Sequence, residues 1–210
     1  MASFAGKMAL NSLSSGIKNT NIVPSSHNSH IDWNDYNFPP CVKVVHFRLS
    51  DFHDNEKKVI TKMYVSWLLV LIVLSYNIIS TIALSATILP GINILYAFLN
   101  WILGMPLATY VFYCGYFGVA RSESGNITKY KIGGILLILL CILFSILPFG
   151  SINGWARIPV MNSENSDPGR FGVATCVIES LIHTVNYFLI GFTIYQVHND
   201  VHESTDPAKI

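Results

Sequence analysis

The feature that most constrains this chain is an uninterrupted uncharged stretch between Lys62 and Arg121. None of the 58 residues from Met63 to Ala120 is Lys, Arg, Asp, Glu or His. A bilayer core about 30 Å thick is crossed by roughly 20 apolar residues of helix. The stretch is therefore too long for one membrane span and has the length of two spans joined by a short turn.

The turn between these two spans is visible in the sequence Leu89-Pro90-Gly91. Proline lacks a backbone donor and glycine tolerates positive φ, so this sequence ends one helix and lets the chain reverse. We predict span 1 over Lys62–Thr87 and span 2 over Ile92–Val119. Lipid offers no hydrogen-bond partner to backbone groups, so both spans are predicted to be helices.

Two further spans follow. No charged residue lies between Lys131 and Arg157, which predicts span 3 over Ile132–Ile152, and span 4 is predicted over Phe171–Val197. Only 12% of the residues are charged, about half the usual fraction in soluble proteins. The sequence therefore predicts an all-α membrane protein with four transmembrane helices in two hairpins.

The ends of the chain differ in composition from the spans. Residues 1–32 are rich in Ser and Asn and are predicted to be a disordered tail. Large aromatic residues and two prolines follow, and a cytosolic interfacial amphipathic helix is predicted to begin near Asp54, capped by Asp51 or Asp54, and to continue into span 1. The predicted domains are thus a tail (1–32), an aromatic and proline segment with the interfacial helix (33–61), the transmembrane domain (62–197) and a cytosolic tail (198–210).

The distribution of Lys and Arg predicts the orientation, because positive residues near span ends stay in the cytosol. The connections on the predicted non-cytosolic side of the membrane contain only two positive residues, Arg157 and Arg170. One feature opposes the assignment, since Asn126-Ile127-Thr128 is a glycosylation sequon and glycosylation occurs in lumenal loops. The charge bias outweighs the sequon, so both termini are predicted to be cytosolic. The eight positive residues on the cytosolic side are Arg48, Lys57, Lys58, Lys62, Arg121, Lys129, Lys131 and Lys209.

No catalytic motif occurs in the sequence: HExxH, P-loop, GxSxG and dinucleotide fingerprints are all absent. We therefore expect no enzyme activity, no cofactor and no metal site. Span 4 carries Glu179, His183 and Asn186, which share one helical face at i, i+4 and i+7. We favour an intramembrane polar pairing of these residues with other helices, and a proton or ion relay through Glu179 and His183 is the alternative.

Three segments of the chain occur in a recognisable order: Asn37-Phe38-Pro39-Pro40-Cys41, Asp54-Asn55-Glu56-Lys57-Lys58-Val59 and Met63-Tyr64-Val65-Ser66-Trp67-Leu68. In this order they resemble the secretory carrier-associated membrane proteins (SCAMPs), and the resemblance covers about residues 33–197. Asn77, Gly150 and Gly154-Trp155 also match positions of that family.

The resemblance implies a non-enzymatic tetraspan protein of Golgi, endosomal and plasma-membrane carriers, which organises vesicle trafficking and protein sorting. In the family, the segment between spans 2 and 3 is implicated in binding anionic lipid. This chain keeps Tyr113 and Arg121 of that segment but lacks its first Arg and its Pro. The chain also lacks the Asn-Pro-Phe motifs by which animal members recruit endocytic adaptors.

The expected partners are membrane lipids, including anionic phosphoinositides, and other membrane proteins. A near-zero net charge predicts no nucleic-acid partner, and oligomerisation stays open. Two other functions also stay open: an accessory subunit of a larger complex, for example in the mitochondrial inner membrane, and a small transporter using Glu179 and His183. The residues expected to contact lipid headgroups are Lys57, Lys58, Lys62, Arg121, Lys129 and Lys131.

Overall fold

The computed structural model describes residues 31–32, 34–38, 46–148 and 150–203. Apart from residues 31–32, the predicted N-terminal tail lies outside the described residues, and so does the predicted C-terminal tail from residue 204. The fold is described below from residue 34 onward.

The described part of the chain contains four long helices: α1 (Asp54–Ser85), α2 (Ile92–Ala120), α3 (Ser124–Ile146) and α5 (Asp167–Glu203). All four are long and apolar enough to cross a membrane. The prediction of an all-α, four-span, multi-pass membrane protein is confirmed. Shorter elements lie between or before these helices: the 3-10 turns Leu49–Asp51 and Trp155–Arg157, and the helix α4 (Ile158–Ser163).

Helix α3 differs from its predicted bounds at both ends. It begins at Ser124, eight residues before the predicted start of span 3, and follows a tight turn in which Ser122 has a φ of 52°. It ends at Ile146, six residues before the predicted end of span 3. Pro148 follows at once and cannot continue the helical hydrogen bonding, which accounts for the early end.

Helix α1 begins at Asp54 and runs without a break into the membrane span. The interfacial helix predicted from the sequence is therefore the first two turns of α1. The predicted cap is wrong, because His53 precedes the helix and no side chain caps it. Asp51 instead accepts a hydrogen bond from His46 Nε2 at 2.8 Å.

The four long helices form a ring, in which α1 and α3 each contact both α2 and α5. Small residues permit close approach: a Cβ on Gly115 would lie 2.7 Å from the Tyr130 ring and 2.8 Å from Met63 Sδ. Outward-facing side chains along the helices are large and apolar, as contact with lipid requires. They include Ile72, Ile79, Leu99, Leu103, Ile135, Leu139, Leu143, Leu181, Val185 and Phe188.

The bundle has two distinct ends. At the basic end, α1 and α3 begin, α2 and α5 end, and Lys57, Lys58, Arg121, Lys129 and Lys131 are found. At the opposite end, α1 and α3 end and α2 and α5 begin, with the segment 147–166 connecting α3 to α5. Each end holds a group of residues that is a candidate functional site.

Candidate functional site

Near the opposite end, the carboxylate of Glu179 on α5 is buried inside the bundle, with only 1% of the residue exposed. It accepts hydrogen bonds from Asn77 Nδ2 at 3.0 Å and Ser80 Oγ at 3.0 Å, both on α1. It also accepts bonds from the Asn153 backbone N at 3.1 Å and Asn153 Nδ2 at 3.0 Å. Hydrogen bonds from several donors are what a carboxylate needs when it is removed from water.

The segment after α3 returns into the bundle to supply Asn153. Ser151 and Asn153 are both fully buried. Asn77 Nδ2 donates to the Ser151 carbonyl at 2.9 Å, and Ser151 Oγ donates back to Asn77 Oδ1 at 3.1 Å. Asn100 of α2 donates to Ser151 Oγ at 3.1 Å. Three elements of the bundle therefore meet at this segment.

Arg157 also forms hydrogen bonds with this group of residues. Its Nη1 donates to Asn153 Oδ1 at 2.8 Å, and its Nη2 donates to the Gly150 carbonyl at 3.2 Å. Asn153 therefore bridges a guanidinium, which is always charged, and the Glu179 carboxylate. We call Asn77, Ser80, Ser151, Asn153, Arg157 and Glu179 the Glu179 cluster.

Glycines shape the segment that carries this cluster. Gly150 has a φ of 57°, which favours glycine and reverses the chain after α3. A Cβ on Gly154 would lie 2.5 Å from the Ile146 carbonyl carbon and 2.7 Å from the Leu147 nitrogen. Two backbone stretches therefore touch at Gly154, and this contact brings Asn153 to Glu179.

The three predicted polar residues of span 4 are all buried, but they do not form one group. The His183 ring packs against Phe144 at 5.6 Å between centroids. Asn186 accepts a hydrogen bond from Ser66 Oγ at 2.7 Å and lies 3.9 Å from Cys141 Sγ. Among the described residues, Glu179 and His183 share no hydrogen bond, and His183 Nδ1 has no hydrogen-bond partner. The polar face of α5 thus contacts α1 and α3 at separate points.

Sequence reasoning missed most of the Glu179 cluster. Asn77 and Ser80 lie three residues apart in an uncharged span, which places both on one face of α1 and was the available signal. Ser151 and Asn153 gave no such signal, because Ser151 lay within the predicted span 3 and Asn153 directly followed it. Arg157 was counted only for its charge.

At the basic end, Lys57, Lys58 and Lys129 are exposed. Arg121 is also exposed, lies 3.7 Å from Glu123 and stacks over the Phe117 ring at 4.7 Å. These four side chains are the exposed members of the six predicted headgroup contacts.

Two other predicted headgroup contacts are engaged within the bundle. Lys62 Nζ donates to Gln196 Oε1 at 2.7 Å and lies 4.5 Å from the centroid of the Phe192 ring. Lys131 Nζ lies 3.2 Å from His198 Nδ1. Both lysines connect their helices to the end of α5.

An aromatic cluster lies beneath the basic end. Phe47 packs against Tyr64 at 5.2 Å and Tyr116 at 5.3 Å between ring centroids. The backbone N–H of Phe47 donates to Asn37 Oδ1 at 2.8 Å. The segment before α1 therefore packs against α1 and α2. The members of the aromatic cluster are Phe38, Phe47, Phe52, Tyr64, Trp67, Phe112 and Tyr116.

The sequon Asn126-Ile127-Thr128 lies in the first turn of α3, at the basic end. The Asn126 side chain donates to the carboxylate of Glu123, and Ile127 is buried. The sequon therefore shares its side of the membrane with the exposed lysines.

A small cavity lies inside the bundle, away from the Glu179 cluster. This cavity of about 20 Å³, lined by Ser66, Trp67, Tyr130 and apolar neighbours, has room for one water. No group of three or more His, Cys, Asp or Glu residues suited to a metal ion occurs within the described part of the chain.

Comparison with known proteins identifies a family. The model of the SCAMP family matches residues 35–204, which include the Glu179 cluster and the basic end. Neither the curated proteins nor the solved structures gave a match.

Proposed function

Because the chain belongs to the SCAMP family, a family of non-enzymatic membrane trafficking proteins, we propose that this trafficking protein works in post-Golgi and endosomal carriers. There it organises anionic lipid and sorts membrane cargo without catalysing a reaction. The four spans anchor it, and the basic end is its working surface.

The observation that carries this proposal is the unequal distribution of charge between the two ends. Lys57, Lys58 and Lys129 project outward at the basic end. At the opposite end, Arg157 turns inward to Asn153, and Arg170 lies 3.5 Å from Asp167. A basic residue near an anionic leaflet contributes about 1 kcal/mol. The basic end therefore suits the cytosolic leaflet, which leaves both termini in the cytosol.

The aromatic cluster gives this basic surface a rigid base. Phe38 and Phe47 pack on Tyr64 and Trp67, so the segment before α1 is held against the bundle. A fixed surface holds its charges at one height relative to the headgroups, which favours multivalent phosphoinositides over dispersed singly charged lipids. Other membrane proteins are expected to bind along the lipid-facing helices.

The proposal is tested by binding of lipid to the full chain reconstituted in proteoliposomes. Energy transfer from the protein to a fluorescent phosphoinositide reports the enrichment of that lipid around the chain. Reversing Lys57 and Lys58 to Glu removes at least about 2 kcal/mol of attraction, or roughly a 30-fold loss in binding. Arg170→Glu at the opposite end is the matched control and leaves the enrichment unchanged.

Localisation of the tagged chain tests the compartment. We expect overlap with Golgi and endosomal markers. Overlap with mitochondrial markers, or unchanged phosphoinositide enrichment in the double lysine variant, contradicts the proposal.

A further inference from the structure

The uncharged part of helix α3 is shorter than the hydrocarbon core of a bilayer is thick. Its apolar part runs from Ile132 to Ile146, which is 15 residues and about 22 Å of helix. The hydrocarbon core is about 30 Å thick. By contrast, the uncharged part of α2 extends over all 29 residues of that helix. The apolar part of α3 is therefore about 8 Å shorter than this core, although the whole helix of 23 residues is long enough to cross it.

The chain directly beyond α3 stays uncharged although residues 147–148 and 150–154 are not helical. Leu147 and Pro148 are exposed. Gly150 then turns the chain, and Ser151–Gly154 lie buried in the bundle. Trp155 is 38% exposed and Val160 is 60% exposed. The segment thus enters the bundle and comes out again with large apolar side chains outward.

In the buried part of this segment, the carbonyl groups and the Asn153 N–H have hydrogen-bond partners in the protein. The carbonyl of Ser151 accepts from Asn77, and that of Ile152 accepts from Arg157. The carbonyl of Asn153 accepts from Ser180 at 3.4 Å, and the Asn153 N–H donates to Glu179. Irregular backbone is tolerated at membrane depth only where protein surrounds and satisfies it in this way.

Charge also separates this segment from an ordinary water-exposed loop. Among residues 147–160 the sequence has one charged residue, Arg157. Its guanidinium is directed inward, to Gly150, Ile152 and Asn153. The first exposed charge after the segment is Glu164, beyond the end of α4.

We propose that residues 147–148 and 150–160 form a re-entrant segment within the leaflet at the opposite end, where they continue the apolar surface of α3. Leu147, Trp155 and Val160 contact phospholipid acyl chains near the headgroup boundary. Lipid is the occupant because these side chains continue the lipid-facing surface formed by Ile146 of α3 and Phe171 of α5, which are 49% and 42% exposed. The inference does not depend on the trafficking role.

Quenching of tryptophan fluorescence by brominated phospholipids in proteoliposomes of the full chain tests this placement. The emission lost in Trp155→Phe isolates the signal of Trp155. We expect bromine near the headgroup end of the acyl chain to quench most of that signal, and aqueous iodide to quench little. Trp101, which lies one-third along α2 and is isolated by Trp101→Phe, is the control and responds more to bromine deep in the bilayer.

A second pair of variants makes the test independent of the native tryptophan. In the Trp155→Phe background, Val160→Trp is expected to be quenched by brominated lipid. Asn162→Trp, two residues further on α4 and exposed, is expected to respond to iodide. If iodide quenches both Trp155 and the tryptophan at 160 while brominated lipid does not, the segment is a water-exposed loop and the inference is overturned.

Discussion

The two ends of the bundle handle polar groups in opposite ways. In the Glu179 cluster, one buried carboxylate receives hydrogen bonds from three residues on two elements. At the basic end, Lys57, Lys58 and Lys129 are exposed, above a layer of aromatic rings. A polar group buried at membrane depth is stabilised by specific hydrogen-bond partners. Exposed positive charges instead attract anionic lipid through their summed charge.

Glu179→Leu is expected to destabilise the protein most. It removes the acceptor of one Asn77 Nδ2 hydrogen, the Asn153 Nδ2 and the Asn153 backbone N–H, while Ser80 Oγ keeps the Asn77 carbonyl at 3.2 Å. Each unsatisfied buried group costs about 1–3 kcal/mol. We expect a loss of several kcal/mol in the free energy of unfolding, measured by thermal unfolding in detergent. Glu164→Leu, at an exposed position, is the control. Equal melting temperatures for the two variants would show that the cluster is not a structural centre.

Gly154→Ala is expected to have the next largest effect, because the new methyl group meets the Ile146 and Leu147 backbone. Backbone atoms cannot move aside as side-chain ends do, so we expect a loss of about 1–3 kcal/mol. Gly125→Ala in the first turn of α3 is the matched control, because nothing lies within 4 Å of its Cβ. Alanine favours helix over glycine by about 1 kcal/mol, so the control is expected to melt higher. The reverse order of the two melting temperatures would contradict the close contact at Gly154.

Ser66→Ala tests an isolated polar contact of α5. It removes the hydrogen bond from Ser66 to Asn186, and interhelical hydrogen bonds in membranes average about 0.6 kcal/mol. A double-mutant cycle with Asn186→Ala measures the coupling by unfolding in denaturing detergent. A coupling energy as large as the loss in Glu179→Leu would contradict the distinction between a single contact and the Glu179 cluster.

Lys57→Gln is expected to have the smallest effect on stability. The side chain is exposed, and such substitutions usually change the free energy of unfolding by less than about 0.5 kcal/mol. We expect the substitution to weaken lipid binding instead. Losing about 1 kcal/mol of attraction to anionic lipid corresponds to roughly fivefold weaker binding. A lower melting temperature with unchanged lipid binding would reverse the roles assigned to the two ends.

Much of the fold was predictable from local sequence. The absence of charge from Met63 to Ala120 and the Leu89-Pro90-Gly91 turn placed two helices, and the predicted span 2 ended one residue before α2 does. Glu179 was identified because a carboxylate in an apolar span is rare. Its partner Asn153 was not, because Asn153 lies on irregular backbone with no periodicity to interpret.

By itself, the sequence determined the number of crossings, the helical form of the spans and the end at which positive charge gathers. These follow from hydropathy and charge, which are properties of each segment taken alone. Only the tertiary structure decided that α3 stops early, that the chain returns to hold Glu179, and that Lys62 and Lys131 contact α5. Those features arise because, in a bundle surrounded by lipid, each buried polar group must find its partner on whichever element packs beside it.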